Sequence, residues 1–419
     1  MTISKWANLE VADKYNKTPL LLAAAHGYEG IVNLLIEKNA NTESKGNEYN
    51  QTSLIWVAKG NHAIVTKLLL ENGANLETED KYGQTPLLLA AAHGYEPIVN
   101  LLIDKKANIE SEDHEHNRTS LLWAIKGNHM VVTKLLLENG ANLETRDKDG
   151  YTPLILAAAH GYKVIVNLLI KRGASLDPKD IFYKRTPLLW AIIGNHIIAA
   201  KLLLENGANF EAKDRDGKTP LLLAATLGNE MIVNLLIERG ANIESKDNDL
   251  NETPLLWATR GNHEMTTKLL LENAANLEAE GYAGMTPLLL AAGHGYEMIV
   301  NILLEKGADI ESKDLGYRCT PLLWAVKTNK ITTTKLLLNK GANLEAQSAN
   351  GATSLSIAAA DGHEIMVKLL LDAGANPHSL DYSGQSPLSE ALENGHEIVA
   401  NHLQERIYTL STLQQPLLV

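Results

Sequence analysis

Residues 85–111 read TPLLLAAAHGYEPIVNLLIDKKANIES, a stretch that predicts two short helices and the turn between them. Thr85 suits an N-cap, and Pro86 suits the first helical position, where its missing N–H costs nothing. The apolar residues that follow form a short helix, which Gly94 ends in a left-handed conformation. A second helix is predicted from about Glu96 to Lys105, with its apolar residues at helical spacing against the first.

The Thr-Pro-Leu start of this unit recurs along almost the whole chain. The capping residues are Thr18, Thr52, Thr85, Thr119, Thr152, Thr186, Thr219, Thr253, Thr286, Thr320, Thr353 and Ser386. A period of roughly 33 residues is typical of stacked repeats, because neither helix could bury its apolar face alone. We predict a partial N-terminal repeat or cap over 1–17, eleven repeats over 18–385, a capping repeat over 386–410 and a tail over 411–419. The repeat pattern predicts a function in binding over an extended surface.

Steps of 34 and 33 residues alternate, so the duplicated unit is a 67-residue pair of repeats. Residues 18–84 and 85–151 are identical at roughly three-quarters of their positions. We count repeats from Thr18 and call them odd and even. The left-handed residue is Gly in odd repeats. In even repeats it is Asn, the next-best residue for that conformation, as in Asn61, Asn128, Asn195, Asn262 and Asn329.

Composition limits the alternatives. The chain is 45% hydrophobic and 21% charged, with no Pro-rich or Ser/Gly-rich linker, which predicts one elongated domain. Its single cysteine, Cys319, suits a reducing compartment. With no signal sequence or membrane span, an intracellular, cytoplasmic protein is expected, with the nucleus as the alternative. A net charge of −12 argues against nucleic acid and anionic membranes as partners.

The repeats resemble the ankyrin repeat, whose consensus is roughly D-x-x-G-x-TPLHxAAxxGHxxVVxLLLxxGAD. The resemblance implies an all-α fold, a curved solenoid of about twelve helix-turn-helix repeats with hairpin-like connecting loops. One departure is the His after Thr-Pro-Leu, which is apolar here, as in Leu21, Ile55 and Leu88. Apolar packing must replace the hydrogen bonds that the family builds there. His62, His129, His196 and His263 occupy the family's structural His position.

The near-identical blocks, with Leu-Leu-Trp-Ala and Glu-Asn-Gly-Ala-Asn-Leu-Glu, are similar to the ankyrin arrays of fungal NACHT-class intracellular receptors. That resemblance implies the recognition array of a larger receptor. It covers the repeats only, because the chain has no Gly-x-x-x-x-Gly-Lys-Ser/Thr loop. Two other roles remain open: a host-directed effector of an intracellular bacterium or virus, and an adaptor that feeds partners to a modifying enzyme.

Binding in ankyrin proteins usually uses the concave groove, made by the hairpin tips and the exposed end of the first helix. Carried over, the resemblance implies a groove row of His26, Lys59, His93, Lys126, His160, Ile193, Arg260, His294 and Lys327, and a tip row that includes Tyr15, Tyr82, Phe182 and Tyr282. Cations beside aromatic rings would suit a protein partner with an acidic or phosphorylated segment. The alternative is that the cations only complement the dipole at the end of the first helix. A monomer is expected.

No catalytic constellation stands out, so no enzymatic activity, cofactor or metal is predicted. His114-Glu115-His116 beside Asp113 is read as a solvated loop rather than a metal site, because it occurs in one repeat only. The Asn-x-Thr residues Asn16, Asn50, Asn117 and Asn251 are read as turn residues with positive φ.

Five tryptophans recur at one register of the even repeats, namely Trp56, Trp123, Trp190, Trp257 and Trp324. Base stacking on such a ladder is conceivable. Core packing between repeats is the favoured interpretation, because the register is expected to face the next unit.

Overall fold

The computed structural model describes residues 9–46 and 49–413, which form pairs of short α-helices joined by hairpin loops. The described helices are α1 (Pro19–Ala25), α2 (Glu29–Glu37), α3 (Ser53–Gly60), α4 (Ala63–Glu71), α5 (Pro86–His93), α6 (Glu96–Asp104), α7 (Ser120–Lys126), α8 (Met130–Glu138), α9 (Pro153–Ala159), α10 (Lys163–Lys171), α11 (Pro187–Ile193), α12 (Ile197–Glu205), α13 (Pro220–Thr226), α14 (Glu230–Glu238), α15 (Pro254–Arg260), α16 (Glu264–Glu272), α17 (Pro287–His294), α18 (Glu297–Glu305), α19 (Pro321–Lys327), α20 (Ile331–Asn339), α21 (Ser354–Ala360), α22 (Glu364–Asp372), α23 (Pro387–Glu393) and α24 (Glu397–Leu413). A 3₁₀ turn spans Tyr282–Gly284. The last helix extends three residues past 410, where we predicted the capping repeat to end.

The chain divides into two compact units between Arg215 and Asp216, where the sequence predicted a single elongated domain. We call them the N-terminal unit, with α1 to α12, and the C-terminal unit, with α13 to α24. Within each unit, successive first helices pack on one another, and each first helix packs on its own second helix. This is the solenoid arrangement that the period predicts.

The first helices begin as the sequence predicts, except that the Thr119 hydroxyl at the start of α7 accepts no capping hydrogen bond. The Thr85 hydroxyl accepts a hydrogen bond from the N–H of Leu88 at 3.3 Å, and Pro86 occupies the first helical turn. Leu88, which stands where the family has His, is 1% exposed, so apolar packing does replace the polar contact. The second helix of the same repeat buries Val99 and Leu102 against it. Burying one such side chain stabilises the fold by about 1.5–3 kcal/mol.

A glycine at the end of the first helix leaves room for a His of the next repeat, as Gly94 shows. Gly94 has φ 75°, and a Cβ there would lie 2.4 Å from Nδ1 of His129 in the next repeat. His129 cannot move away, because its Nε2 is 3.0 Å from the carbonyl oxygen of Ala92. In the repeat that follows Asn128 this position holds Tyr162 rather than His, and Asn128 has φ 58°. The prediction of structural histidines and left-handed Asn residues is confirmed.

The Asn-Leu-Glu segment links neighbouring repeats. The Asn75 side-chain oxygen accepts the N–H of Glu77 at 3.0 Å, which fixes the turn. Glu77 in turn accepts the N–H of Asn108, one repeat later, at 2.8 Å. Glu43 does the same for Asn75, at 3.0 Å. Much of the chain's negative charge therefore lies in a ladder of carboxylates that bind backbone N–H groups.

Four turn asparagines have positive φ, as predicted: Asn16, Asn50, Asn117 and Asn251 have φ of 60°, 57°, 53° and 55°. Two repeats place a cation at the same position, Lys184 at φ 56° and Arg318 at φ 51°.

Ala274 is expected to strain the end of α16. It has φ 63°, whereas four other even repeats have glycine there, for example Gly73 at φ 80° and Gly140 at φ 89°. A Cβ at those glycines would have no heavy atom within 4 Å, so the methyl group gains no contact. Ala274→Gly should therefore raise the free energy of unfolding of the C-terminal unit by about 1 kcal/mol, measured by urea denaturation. The reverse change, Gly140→Ala, should lower that of the N-terminal unit by a similar amount. A destabilised Ala274→Gly variant would contradict this account.

Candidate functional site

The hairpin loops between repeats are built to project two side chains. In the loop at 80–84 the N–H of Asp80 donates to the carbonyl of Gln84 at 3.2 Å. The Asp80 carboxylate accepts the N–H groups of Tyr82 and Gln84 at 2.9 and 3.0 Å, and Gly83 has φ 74°. Asp80 is buried, whereas Lys81 and Tyr82 are exposed. The Asp therefore positions the loop, and the two residues after it form the tip.

Neighbouring tips are joined by backbone hydrogen bonds. The Lys81 N–H donates to the carbonyl of Tyr49, and the His114 N–H donates to that of Tyr82, both at 2.9 Å. The same bond recurs within the C-terminal unit, where Ala349 donates to Tyr317 at 2.7 Å. Within each unit the tips thus form a continuous surface with fixed spacing.

Large apolar side chains cover much of this surface. We call the following residues the hairpin-tip surface: Tyr15, Tyr82, Ile181, Phe182 and Tyr183 of the N-terminal unit, and Tyr282, Leu315, Tyr317 and Tyr382 of the C-terminal unit. All are between 41% and 74% exposed. The predicted tip residues Tyr15, Tyr82, Phe182 and Tyr282 all belong to it. Ile181 and Leu315 were missed, although their place beside the hairpin Asp could have indicated them.

Several of these rings carry a cation on their face. Lys81 Nζ lies 4.0 Å from the ring centroid of Tyr49 and 5.1 Å from that of Tyr82. Lys14 Nζ is 4.8 Å from the Tyr15 centroid. In the C-terminal unit Lys327 Nζ is 3.9 Å from the Tyr317 centroid. Each pair combines a flat apolar face with a positive charge.

The predicted groove row does not occupy one register. The histidines His26, His93, His160 and His294 stand eight residues after the capping Thr, whereas Lys59, Lys126, Ile193, Arg260 and Lys327 stand seven after it. Each His is exposed, and its Nδ1 lies 2.8 or 2.9 Å from the carbonyl oxygen four residues earlier. Each ring stacks on the Tyr two residues later, with centroids 5.2 to 5.5 Å apart. These histidines therefore close their own helix while one ring edge faces outward.

The cations of the groove row are also engaged within the fold. Lys126 Nζ lies 4.9 Å from the Trp123 centroid, and burial together with the charge of Arg118 lowers the pKa of Lys126. Arg260 is bound to the buried carboxylate of Glu252, whose hydrogen bond raises the pKa of Arg260. Ile193 is half-buried. Lys59, Lys126, Arg260 and Lys327 lie in the last turn of their helices, where positive charge is favoured.

The prediction that the tryptophans are core residues is wrong. Trp123 is half-buried, while Leu121 and Leu122 beside it fill the core. The Trp123 indole N–H donates to Oδ2 of Asp113 at 2.8 Å. Trp190, Trp257 and Trp324 make the same bond to Asp180, Asp247 and Asp314. The ring thus forms a wall beside the hairpin and braces it.

A buried polar layer, which sequence reasoning missed, lies next to these rings. Arg118 is 7% exposed, and its Nε and Nη2 donate to Oδ2 of Asp147 at 3.2 and 3.1 Å. Arg185 and Asp214 repeat the pair one block later, at 3.4 Å. In the next block Glu252 stands at the position of the arginine, and Gly281 stands at the position of its partner aspartate. A carboxylate facing Asp would be repelled, so the two positions change together.

A second exposed apolar set lies in the first turn of the second helices. Its members stand twelve residues after the capping residue and are 53% to 68% exposed: Ile64, Val131, Val164, Ile198, Met231, Met265, Met298, Ile365 and Ile398. We call it the second-helix row. It provides a comparison surface of equal exposure for tests of the hairpin tips.

The acidic and histidine residues at 113–116 form separate pairs. His116 Nδ1 lies 3.5 Å from Asp113, and His114 Nε2 lies 3.6 Å from Glu79 of the previous hairpin. Over residues 9–46 and 49–413, no three His, Cys, Asp or Glu side chains converge as metal ligands would. In the same part of the chain, no helix combines the length and apolar character that a membrane crossing needs.

The fold and its exposed tips define a repeat protein built for surface contact. A model of three ankyrin repeats matches residues 39–113, 109–180, 177–247, 245–314 and 317–408, and a single-repeat model matches 15–47. The chain belongs to the ankyrin-repeat family. Proteins of this family generally mediate protein–protein interaction and are typically non-enzymatic.

Among solved structures, the crystal structure of the human ASB11 ankyrin repeat domain is 30% identical to this chain. The match covers 50% of this chain and 92% of that domain, with a TM-score of 0.46. No curated protein matches the chain.

Proposed function

We propose that this chain binds a protein partner through the hairpin-tip surface. The observation that carries the proposal is a contrast between the 67-residue blocks. The last turns of their second helices and the Asn-Leu-Glu segments of their even repeats are nearly unchanged, whereas the tips differ from block to block. The tip position of Tyr82 is taken in later blocks by Asp149, Asp216, Ala283 and Asn350.

Several of the varied residues are poorly suited to a surface that only meets water. Tyr82, Phe182, Tyr183 and Tyr317 hold large rings at the ends of hairpins that buried Asp residues fix in place. Rigid exposed aromatic side chains supply large contact area at low entropic cost, and Tyr is enriched among residues that dominate binding energy. The scaffold therefore presents a different set of contact groups in each repeat.

The N-terminal unit suits a partner with an acidic or phosphorylated segment. Lys14 and Lys81 lie against Tyr15, Tyr49 and Tyr82, so that cations and aromatic faces alternate at the tips. Carboxylates and phosphates form charge-assisted hydrogen bonds with such cations. His26, His93 and His160 each present an outward ring edge to such a partner. Lys126 is held over the Trp123 ring and contributes less to its binding.

The test uses affinity capture from native lysate, followed by measurement of the dissociation constant for the captured partner. The tip variant combines Tyr15→Ser, Tyr82→Ser and Phe182→Ser. The control variant combines Ile64→Ser, Val131→Ser and Ile198→Ser in the second-helix row, at matched exposure. The tip variant should bind at least about 100-fold more weakly, because three central aromatic contacts are lost.

The control variant should bind within about twofold of the parent, since single exposed residues outside a contact contribute little. The double variant Lys14→Glu with Lys81→Glu tests the charge of the partner. If the partner segment is acidic or phosphorylated, the variant should bind it more weakly than the parent does, and the loss of affinity should be largest at low salt. Equal binding by parent and tip variant would overturn the proposal.

The array would serve as the recognition part of a larger intracellular receptor, of the kind that fungal NACHT-class proteins represent. Near-identical blocks with diversified tips support this role, because duplication supplies new contact surfaces on an unchanged scaffold. An effector or adaptor role is the alternative. The size of the native protein, determined with an antibody against the repeats, separates them. A product far larger than this chain that contains an ATPase domain supports the receptor, and a product of 419 residues supports the alternative.

A further inference from the structure

The last even repeat breaks the tryptophan pattern. Four residues after the capping Ser386 stands Glu390, at the position that Trp324 occupies after Thr320. A carboxylate side chain occupies less space than an indole. A cavity of about 330 Å³ lies here within the C-terminal unit, lined by Tyr317, Cys319, Lys327, Ile357, Asp361 and Glu390 among others.

Glu390 is not satisfied within this cavity wall. Its Oε2 atom is buried without a hydrogen-bond partner among the described residues. Such an atom destabilises the fold when it is left unpaired. Burial, followed by the negative charges of Asp381, Glu393 and Asp361, raises the pKa of Glu390 to about 7.

The charges around the cavity favour a positive ligand. Asp361, at the end of α21, and Glu390, on α23, line it, and Asp381 and Glu393 add negative potential. Lys327, at the end of α19, is the cation in the lining. Its Nζ lies 3.9 Å from the Tyr317 centroid and 5.3 Å from the Trp324 centroid, so it is held against the aromatic wall.

We propose that this cavity binds a cationic side chain, the guanidinium of an arginine or the ammonium of a lysine, from the partner protein. The proposal rests on the proposed function, since the side chain belongs to the protein that the tips bind. The charged end pairs with Glu390 and Asp361, while the aliphatic stem packs on Ile357 and the aromatic wall.

The affinity of the cavity should depend on pH. Glu390 must be ionised to pair with the cation, and it is mostly protonated in the free chain below pH 7. Binding at pH 6 therefore releases a proton, whereas binding at pH 8 does not. The affinity for a cation should rise roughly tenfold from pH 6 to pH 8.

The experiment titrates the full chain, labelled with ¹³C at isoleucine methyl groups, with N-acetyl-arginine amide, N-acetyl-lysine amide or the uncharged N-acetyl-norleucine amide. The Ile357 methyl signal should shift in a saturable way with at least one of the two cations. The arginine and lysine arms show which cation fits better. Glu390→Gln keeps the shape of the side chain but removes its charge. It should lower the affinity for the cationic probe at least about tenfold at pH 8, because the ionic partner is lost. The remaining isoleucine methyl signals report whether the variant is folded.

Absence of a saturable Ile357 shift with either cation would overturn the proposal, as would equal affinity for the norleucine probe or for Glu390→Gln. These measurements need no protein partner. Their failure would leave the hairpin-tip proposal standing, and failure of the tip variants would leave the cavity result unchanged.

Discussion

Asp147→Asn should lower the free energy of unfolding of the N-terminal unit by about 3 kcal/mol, because it leaves the buried guanidinium of Arg118 without a counter-charge. The Arg118 side chain is 8% exposed and the Asp147 side chain 0%. Arg118 Nη1 is already buried without a partner, so the cation has no alternative acceptor in the layer. Urea denaturation, followed by circular dichroism, measures the change.

Asp80→Asn is the matched control. Asp80 occupies the same position one block earlier and makes the same loop bonds, but Gln51 stands there at the position of Arg118. Its Oδ2 has no hydrogen-bond partner among the described residues. The control should therefore change the free energy of unfolding by less than about 1 kcal/mol. Equal effects of the two substitutions would show that the ion pair does not matter and would contradict this account.

Asp113→Ala should lower the free energy of unfolding of the N-terminal unit by a similar amount, about 3 kcal/mol, because this one carboxylate accepts several hydrogen bonds of the hairpin. It accepts the N–H groups of Glu115, His116 and Arg118 and the indole N–H of Trp123. Burial opposes ionisation, but these hydrogen bonds outweigh it and lower the pKa of Asp113. The carboxylate therefore stabilises the fold above its unfolded pKa, near 4, and this contribution is lost as the pH falls through the lower folded pKa. The difference in the free energy of unfolding between parent and variant should therefore become smaller as the pH falls.

The first even repeat supplies an internal control for the indole bond. Gly46 stands where Asp113 stands one block later, and Trp56 Nε1 has no hydrogen-bond partner among the described residues. Trp56→Phe should therefore destabilise the N-terminal unit by about 1 kcal/mol less than Trp123→Phe, which strands the Asp113 acceptor. The measurement compares the unfolding midpoints of the two variants with that of the parent, and the midpoint should fall less for Trp56→Phe than for Trp123→Phe. A larger loss for Trp56→Phe would contradict the role given to the carboxylate.

The fold was predictable because its determinants are local. The capping Thr, the Pro after it and the left-handed Gly or Asn act within one helix and its turn, as Thr85 and Gly94 show. The role of Gly94 beside His129 spans 35 residues, and the period still reveals it, because each such pair recurs. The resemblance to ankyrin repeats then identified the histidine as structural.

The polar layer could not be predicted from local pattern. Arg118 and Asp147 are 29 residues apart, and only the stacked fold brings them together. The tryptophans were assigned to the core because their register was expected to face the next unit. The five rings are instead half-buried, and four of them donate the indole N–H to a hairpin Asp ten residues earlier.

The tip residues were predicted better than the groove row. Exposure of Tyr15, Tyr82, Phe182 and Tyr282 follows from the hairpin alone. The groove row combined two registers one residue apart, and one residue in a helix turns a side chain by about 100°. The pairing of Arg260 with Glu252 depends on side-chain packing that a repeat pattern does not encode.

Site-specific photocrosslinking tests the central claim most directly. A benzophenone amino acid replaces Tyr82 or Phe182 in the hairpin-tip surface, and Ile64 or Ile198 in the second-helix row, and each labelled chain is irradiated with the captured partner. The account predicts covalent partner adducts from Tyr82 and Phe182 and none above background from Ile64 and Ile198. Adducts confined to the second-helix positions would contradict it.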